Sequence, residues 1–297
     1  MATFGNPTYS TANYQANRPR YRDTLAETIT AFHKRDNPGA ATDLAVDVAT
    51  GTGIFARQLP PHFTKVIGTD ISPTMLQDAR AATAEGSVEY IQAPSENMPF
   101  INDHTVDVLT VATGAHWFDT EKFVQEAKRV LKPNGTLAIF GYSGFAHFVD
   151  YPQCDKILKD YGLGTDKLGP FWDSGRGELV DGYRCYHRIL TRDSWEGFER
   201  HIYPDTIEGE PSTEFPPTVA SEPIVMDFRV TWRSLLSFLL TWSAIPRYQT
   251  KYPGRENPIE AAVREMMAAA GSTDMDEVLS LQWEEVLVLC HPPRPGQ

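Results

Sequence analysis

Apolar and polar positions alternate along the first half of the chain in a pattern that predicts strands and helices in turn. Short apolar runs have the length and β-branched content of buried strands, and they lie at about 43–48, 65–69, 88–91, 106–111 and 136–141. Segments with the spacing of an amphipathic helix lie before the first run, at 21–34, and between later runs, at 72–84 and 119–131. This alternation predicts an α/β fold with a parallel sheet covered by helices on both faces.

The second half of the chain is less regular. Helical stretches are predicted near 152–161 and 177–190, and the five prolines within 204–224 predict a surface loop. The later predicted elements are a short strand at 225–230, an apolar helix at 232–243, a helix from Asn257 to about Gly271, and a long strand at 278–290.

The segment 45–53 carries the most informative local pattern. An apolar strand runs into Gly51 and Gly53, where the missing Cβ atoms let a ligand approach the backbone. A helix-like segment from Ile54 follows, and a helix start offers free N–H groups to a nucleotide-like ligand. The segment also fits the G-x-G-x-x-A fingerprint of dinucleotide sites, with Asp70 where a ribose-binding carboxylate is expected. These residues alone do not distinguish a dinucleotide from another nucleotide-like cofactor.

Composition narrows the partners. The chain has 297 residues and a formal net charge of −12, which argues against nucleic acid or an anionic membrane. Its three cysteines show neither metal-ligand spacing nor a disulfide framework, so we expect no metal and a reduced cytoplasmic compartment. Residues 1–10 do not predict a signal peptide, and no apolar run is long enough to span a membrane.

Five motifs follow one another along the chain in a recognisable order: Asp47-Val-Ala-Thr-Gly-Thr-Gly53, Asp70-Ile-Ser-Pro-Thr-Met75, Ser95-Glu-Asn-Met-Pro-Phe100, Asp107 and Leu131-Lys-Pro-Asn-Gly135. Together they resemble the class I S-adenosylmethionine-dependent methyltransferases. Further segments, at 14–21, 115–119, 168–172, 175–176 and 241–244, resemble the trans-aconitate methyltransferase branch found in fungi. The resemblance covers nearly the whole chain.

The resemblance implies a Rossmann-like methyltransferase fold. Its sheet has seven mostly parallel strands in the order 3-2-1-4-5-7-6, with strand 7 antiparallel, helices on both sides and a helical substrate cap. Strand 6 would lie near 198–203, and the last strand of the chain would be strand 7. A single domain over 1–297 would comprise an N-terminal lid at 1–40, a cofactor-binding core at 41–144, cap insertions with strand 6 at 145–245, and a C-terminal helix and strand 7 at 246–297.

The implied cofactor is S-adenosylmethionine. Its methionyl end would lie against Gly51 and Gly53, with Asp47 helping to hold the ammonium group and Asp70 accepting both ribose hydroxyls. Ile71 and Met75 would pack on the adenine. The full set of expected cofactor-binding residues is Asp47, Ala49, Gly51, Gly53, Asp70, Ile71, Met75, Ser95, Glu96 and Thr113. Structural alternatives stay open: Asp47 as a loop cap, Asp70 as a helix N-cap and Met75 as plain core.

His116 and Trp117 are the candidate catalytic residues, since they follow strand four at the ligand-binding edge of the sheet. His116 could act as a base for a hydroxyl acceptor, hydrogen-bond a carboxylate acceptor, or be structural. Trp117 could face the sulfonium cation. The expected substrate-binding residues are Tyr14, Arg18 and Tyr21 in the lid, Arg176 as a carboxylate clamp, and Trp172 and Trp242 as walls.

The sequence therefore predicts a methyltransferase acting on a small molecule, with O-methylation of a carboxylate favoured. The acceptor would be trans-aconitate-like or an acid of specialised metabolism, and Leu240, where many relatives have arginine, argues against a tricarboxylate. The alternatives are O-methylation of a polyketide or terpenoid hydroxyl, and a cyclase or binding protein that does not transfer the methyl group. A monomer or weak homodimer is expected. A nicotinamide dehydrogenase is disfavoured, because no tyrosine–lysine catalytic pair is evident.

Overall fold

A twisted β-sheet organises the computed structural model, which describes residues 21–142, 145–173, 175–203 and 225–293. The strands are β1 (Leu44–Val48), β2 (Lys65–Asp70), β3 (Glu89–Gln92), β4 (Val106–Ala112), β5 (Leu131–Tyr142), β6 (His147–Phe148), β7 (Glu196–Tyr203), β8 (Val225–Thr231) and β9 (Val278–His291). The main sheet has the order β3-β2-β1-β4-β5-β9-β7, parallel from β3 to β5 and antiparallel on both sides of β9. The predicted order, with an antiparallel last strand, is confirmed.

The α-helices in the described ranges are α1 (Thr24–Lys34), α2 (Pro73–Ala81), α3 (Thr120–Val130), α4 (Gln153–Leu163), α5 (Arg176–Val180), α6 (Arg184–Arg192), α7 (Trp232–Leu239), α8 (Ala244–Lys251) and α9 (Pro258–Ala270). Their starts follow from local sequence. The Ser72 hydroxyl accepts from the Met75 amide at the start of α2, and the Asn257 side chain does the same for Ile259 at α9.

Alternating side chains along the strands build a core on each face of the sheet. Ala138 and Phe140 of β5 join α1, α7 and α9 in one cluster, whereas Leu137 and Ile139 join α3 and α6 in the other. At the far end of β4, Asp107 accepts from the Asp43 and Leu44 amides and so ties β1 to β4 away from the candidate site.

β9 is longer than the main sheet requires. Residues 285–291 pair with β5 and β7, while residues 278–284 pair with β8 and contribute register partners to the short β6. The structure therefore has two strands, β6 and β8, in addition to the seven strands of the predicted sheet, and both pair with the first half of β9. Of these two, β8 corresponds to the strand predicted at 225–230.

Three predicted elements differ from the structure. The helix expected from Ile54 is only a 3₁₀ turn at Ala56–Gln58, because Pro60 and Pro61 follow at once and disfavour a continued helix. The helix expected at 177–190 is split into α5 and α6, since Gly182 and Tyr183 adopt left-handed backbone conformations. β5 begins at Leu131 rather than Thr136, with an irregular register opposite Val106 and Val108.

Within the described ranges, no helix is long and apolar enough to cross a membrane.

Candidate functional site

A cavity of about 640 Å³ opens at the carboxyl ends of β1, β2, β4 and β5. This edge is where open α/β sheets bind ligands, and the volume suits a cofactor together with a small acceptor. We use "cofactor lobe" for the part lined by residues 49–52, 54–55, 70–73, 75 and 93–96. We use "acceptor lobe" for the part lined by residues 116–118, 142, 172–173, 176, 179, 238 and 242–243. Tyr21 and Thr113 also line the cavity.

The glycine turn after β1 forms the floor of the cofactor lobe. Gly51 has φ +57°, and a Cβ added there would meet no atom within 4 Å, so its backbone faces open space. Ala49 and Thr113 also have positive φ, at 53° and 51°, although neither is a glycine. Left-handed conformations of non-glycine residues cost energy and cluster at functional sites. Both residues line the cavity, and their contact with a cofactor stays a prediction.

Gly53 has a different role from Gly51. It does not line the cavity, and a Cβ at this position would overlap the hydroxyl of Tyr90. The glycine therefore lets the Tyr90 ring pack under the turn. Its contact with the cofactor stays a prediction.

Asp47 lies behind the cavity wall and does not line it. Its side chain is fully buried, one carboxylate oxygen accepts from the Thr50 hydroxyl at 2.6 Å, and the other accepts from Thr110 at 2.7 Å. Burial raises the pKa of Asp47 to about 6, while the two hydroxyls act in the opposite direction. The alternative interpretation, a carboxylate that braces the loop, matches this arrangement better than direct contact with an ammonium group.

Asp70 ends β2 and faces the cofactor lobe. Its two oxygens accept from the Gly51 amide at 2.9 Å and the Ser72 amide at 2.8 Å. Burial raises the pKa of Asp70, and the same backbone amides oppose that shift. The alternative of a helix N-cap is wrong, since Ser72 caps α2. A carboxylate offers about four lone-pair sites, so these backbone amides leave acceptor capacity for a ligand.

Three polar groups test whether a nucleoside cofactor suits this lobe. Thr52 lines the lobe, and its buried hydroxyl has no hydrogen-bond partner among the described residues. Buried polar groups are normally satisfied, so a ligand atom is the natural partner for this hydroxyl. Together with the carboxylate of Asp70 and the open backbone at Gly51, it provides the polar groups that a methionyl and ribose portion requires.

The remaining predicted cofactor residues also line the lobe. Met75 is buried and Ile71 is 67% exposed, so an adenine ring would cover apolar surface that is now open to water. Ser95 and Glu96 follow β3, and a Glu96 carboxylate oxygen accepts from the Asp119 amide at 3.0 Å.

His116 and Trp117 lie on a 3₁₀ turn directly after β4 and face the acceptor lobe. The Nδ1 atom of His116 is 3.4 Å from the hydroxyl of the fully buried Tyr183. Gly175 packs so closely that a Cβ there would overlap the His116 carbonyl oxygen. The start of α5 therefore packs directly against the backbone of the turn that carries both candidate catalytic residues.

Arg176 is held among aromatic rings in the acceptor lobe. Its guanidinium carbon lies 3.9 Å from the centre of the Trp172 ring and 4.9 Å from that of Phe145. Trp172 is anchored by a 2.7 Å hydrogen bond from Nε1 to the Gly162 carbonyl, and it packs against Trp242. Stacking of this kind restricts the guanidinium before any ligand arrives.

The acceptor lobe also contains residues that the sequence analysis did not select. Asp173 pairs with Arg247 of α8, and Tyr142 ends β5 in the cavity wall. Tyr142 could have been selected because it ends a predicted strand at the ligand-binding edge. Asp173 and Phe145 carried no such signal. Leu240 is exposed and does not line the cavity, so its identity is not an argument against a tricarboxylate.

Only part of the predicted lid can be described. Tyr14 and Arg18 lie outside the described residues. Tyr21 is buried, and its hydroxyl is 2.6 Å from that of Thr113. The Tyr21 ring contacts Phe55 and Phe140 edge to face, so it forms part of the wall between the two lobes.

Comparisons with known proteins agree with this geometry. A family model described as a methyltransferase domain matches residues 46–139. Over 292 residues the chain is 27% identical to a protein of Saccharomyces cerevisiae described as a probable S-adenosylmethionine-dependent methyltransferase, covering 96% of each chain. It is 32% identical over 187 residues to a ubiquinone/menaquinone biosynthesis C-methyltransferase of Shewanella sediminis, covering 59% of this chain and 66% of that protein.

Among solved structures, a protein of Anaeromyxobacter dehalogenans described as a type II methyltransferase superposes with a TM-score of 0.68. The identity is 22%, and the match covers 93% of this chain and 99% of the other. At this identity the likeness is one of fold.

Proposed function

Because the chain is an S-adenosylmethionine-dependent methyltransferase of the class I fold, we propose that it methylates the carboxylate of a small organic acid to give an O-methyl ester. The observation that carries this proposal is Arg176, whose guanidinium is stacked between Trp172 and Phe145 at the acceptor lobe. A planar, pre-oriented guanidinium binds a carboxylate through two parallel hydrogen bonds.

In this proposal the cofactor lobe holds S-adenosylmethionine through Asp70, Thr52 and the backbone at Gly51. When bound, the cofactor supplies a methyl group on a positively charged sulfur. The acceptor lobe would present an acceptor oxygen to that carbon, and the sulfur would leave with the electron pair of the carbon–sulfur bond. A carboxylate is already ionised at neutral pH, so no proton has to be removed.

The chain's own contribution is alignment and exclusion of water. Arg176 would hold the acceptor, while Trp117, Trp172 and Trp242 supply apolar walls around the reacting oxygen. Holding two reactants in line accounts for a large part of the rate enhancement in such displacements. The cofactor lobe is lined from within the proposed core at 41–144, whereas the acceptor lobe combines residues 116–118 and 142 of that core with residues 172–243 of the proposed cap at 145–245.

The first experiment combines an acid panel with substitution of Arg176. We expect the wild-type enzyme and S-adenosylmethionine to form methyl esters of selected acids, detected by mass spectrometry. Arg176→Gln is expected to raise KM for the acid about tenfold or more, since it removes a charge-assisted contact. The dissociation constant for S-adenosylhomocysteine should stay unchanged. Arg233→Gln, in an exposed pair with Asp276 on another face, is the matched control.

A second candidate function is O-methylation of a hydroxyl, favoured by His116 in the acceptor lobe. A hydroxyl must lose its proton, and a histidine is suited to accept it. His116→Ala would then lower kcat about a hundredfold and remove the acidic limb of the pH profile, on which activity rises with pH as the base loses its proton. For an acid acceptor the same variant would change kcat little, and the product would be a base-labile ester rather than an ether.

A further inference from the structure

Two opposite charges share one turn of the acceptor lobe. Asp173 and Arg176 both line the cavity, and the Arg176 amide donates to the Asp173 carbonyl at 3.1 Å. An acceptor bound by Arg176 would therefore share the acceptor lobe with the negatively charged side chain of Asp173. The carboxylate that the proposed function requires would have a like-charged neighbour.

The Asp173 carboxylate is held from outside the cavity. It forms an ion pair with Arg247 of α8, whose side chain is 41% exposed against 10% for Asp173. Arg247 also donates to the Phe171 carbonyl at 3.4 Å and does not line the cavity. One partner thus faces the acceptor, and the other faces water.

The rest of the described acceptor lobe offers little to a second carboxylate. Apart from His116, Arg176 is the one basic side chain among its described lining residues, and the other walls include Trp117, Phe238 and Trp242. Moving an unpaired carboxylate against such walls is unfavourable, because its hydration is lost.

We propose that Asp173 is a specificity-determining residue, which selects acids with one carboxylate and an apolar body by repelling a second carboxylate beside the first. Arg247 sets the strength of this repulsion from outside by partly neutralising Asp173. This inference rests on the proposed function, since it assumes an acid bound at Arg176. It adds the class of acid, and it disfavours di- and tricarboxylates.

The test removes the same ion pair from either side. Asp173→Asn and Arg247→Gln both break the bridge, so a purely structural role predicts similar effects from the two variants. The charge effects are opposite, because one variant removes the negative charge of Asp173 and the other removes the positive charge of Arg247 beside it. Two matched acids report the difference: 4-phenylbutanoate, and benzylsuccinate, which is the same skeleton with a second carboxylate.

The measured quantity is the ratio of kcat/KM for benzylsuccinate to kcat/KM for 4-phenylbutanoate. We expect Asp173→Asn to raise this ratio about tenfold and Arg247→Gln to lower it several-fold, the scale of a single charge acting through partly screened surroundings. Calorimetric binding of both acids in the presence of S-adenosylhomocysteine should shift in the same directions. Asp276→Asn and Arg233→Gln, which break an exposed bridge elsewhere, should leave the ratio unchanged.

Shifts of the ratio in the same direction for both variants, or no shift in either, would overturn the assignment of Asp173. Failure of the proposed function looks different and is seen before any variant is compared. The wild-type enzyme would then bind and methylate neither acid while methylating 4-phenylbutan-1-ol, and both proposals would be wrong.

Discussion

Asp70 combines two tasks in one carboxylate, because it holds the Gly51 and Ser72 amides and still faces the cavity. Asp70→Asn would place an amide N–H₂ against one of these backbone donors and remove a charged acceptor. We expect the dissociation constant for S-adenosylhomocysteine to rise about tenfold or more in calorimetry. Glu89→Gln, in an exposed pair with Lys65 on the neighbouring strand, is the control. An unchanged dissociation constant would mean that Asp70 only shapes the turn.

Gly53 should tolerate alanine poorly. Gly53→Ala combines a φ of +74° with overlap of the Tyr90 hydroxyl, so we expect a loss of about 1–3 kcal/mol in the free energy of unfolding. Adding Tyr90→Phe removes the overlapping atom and should recover part of that loss. Urea unfolding of the single and double variants measures both effects. No recovery in the double variant would assign the whole cost to the backbone conformation.

The residue types at these positions could be predicted from the sequence, but their contacts could not. Asp47 precedes the glycines as the resemblance requires, yet its partner Thr110 lies 63 residues away on β4. The overlap of Gly53 with Tyr90 depends in the same way on the pairing of β2 with β3. Neighbours that meet only through the sheet leave no local pattern in the sequence.

At the scale of elements, the position of the short helix α5 depends on how closely Gly175 approaches the turn that carries His116. Gly175 has φ −65°, so alanine suits its backbone, but the added Cβ would overlap the His116 carbonyl. We expect Gly175→Ala to move α5 and to lower kcat/KM for the acceptor about tenfold, with cofactor binding unchanged.

Gly177→Ala is the matched control, since it lies in the same helix and its Cβ would meet open space. Alanine there should leave kcat/KM unchanged and add about 0.5–1 kcal/mol of stability. Steady-state kinetics and thermal unfolding of the two variants separate displacement of α5 from a general effect of replacing glycine. Equal losses of activity in both variants would contradict the close-packing argument.

Long, strongly patterned elements were predicted well, and short ones were not. α1 buries Leu25, Ile29 and Phe32 as their spacing predicted. The segment after the glycine loop forms only a short 3₁₀ turn rather than the predicted helix, because Pro60 and Pro61 follow it. Helix α8 was not predicted at all, so the pairing of Arg247 with Asp173 could not be foreseen.

At the scale of the whole molecule, Glu285 is a buried ionisable side chain in the middle of β9. It is 1% exposed, lies opposite Tyr142 in register, and neither carboxylate oxygen has a hydrogen-bond partner among the described residues. Its nearest described cation is Arg22, with Nε 3.8 Å from Oε2. Burial raises the pKa of Glu285 to about 7, and Arg22 acts in the opposite direction.

The consequence is a stability that falls as pH rises. Between the ordinary glutamate pKa and about 7, the folded protein holds a proton that the unfolded chain has released, so the free energy of unfolding decreases through that window. Glu285→Gln should remove this dependence, matching the wild type near pH 5 and exceeding it by up to about 3 kcal/mol at pH 8. Urea unfolding at the two pH values checks this. A variant that is less stable than the wild type at pH 8 would contradict it.

β9 also bears on the order in which the protein can fold during synthesis. All four strands that pair with it, β5, β6, β7 and β8, precede it in the chain. Until residues 278–291 have left the ribosome, none of those strands has this partner, and their hydrogen-bonding edges stay open to other chains. The nascent protein therefore passes through a stage in which β1 to β5 can already pair, while β6, β7 and β8 still lack their partner β9. That stage is the one at which we expect dependence on chaperones to be greatest.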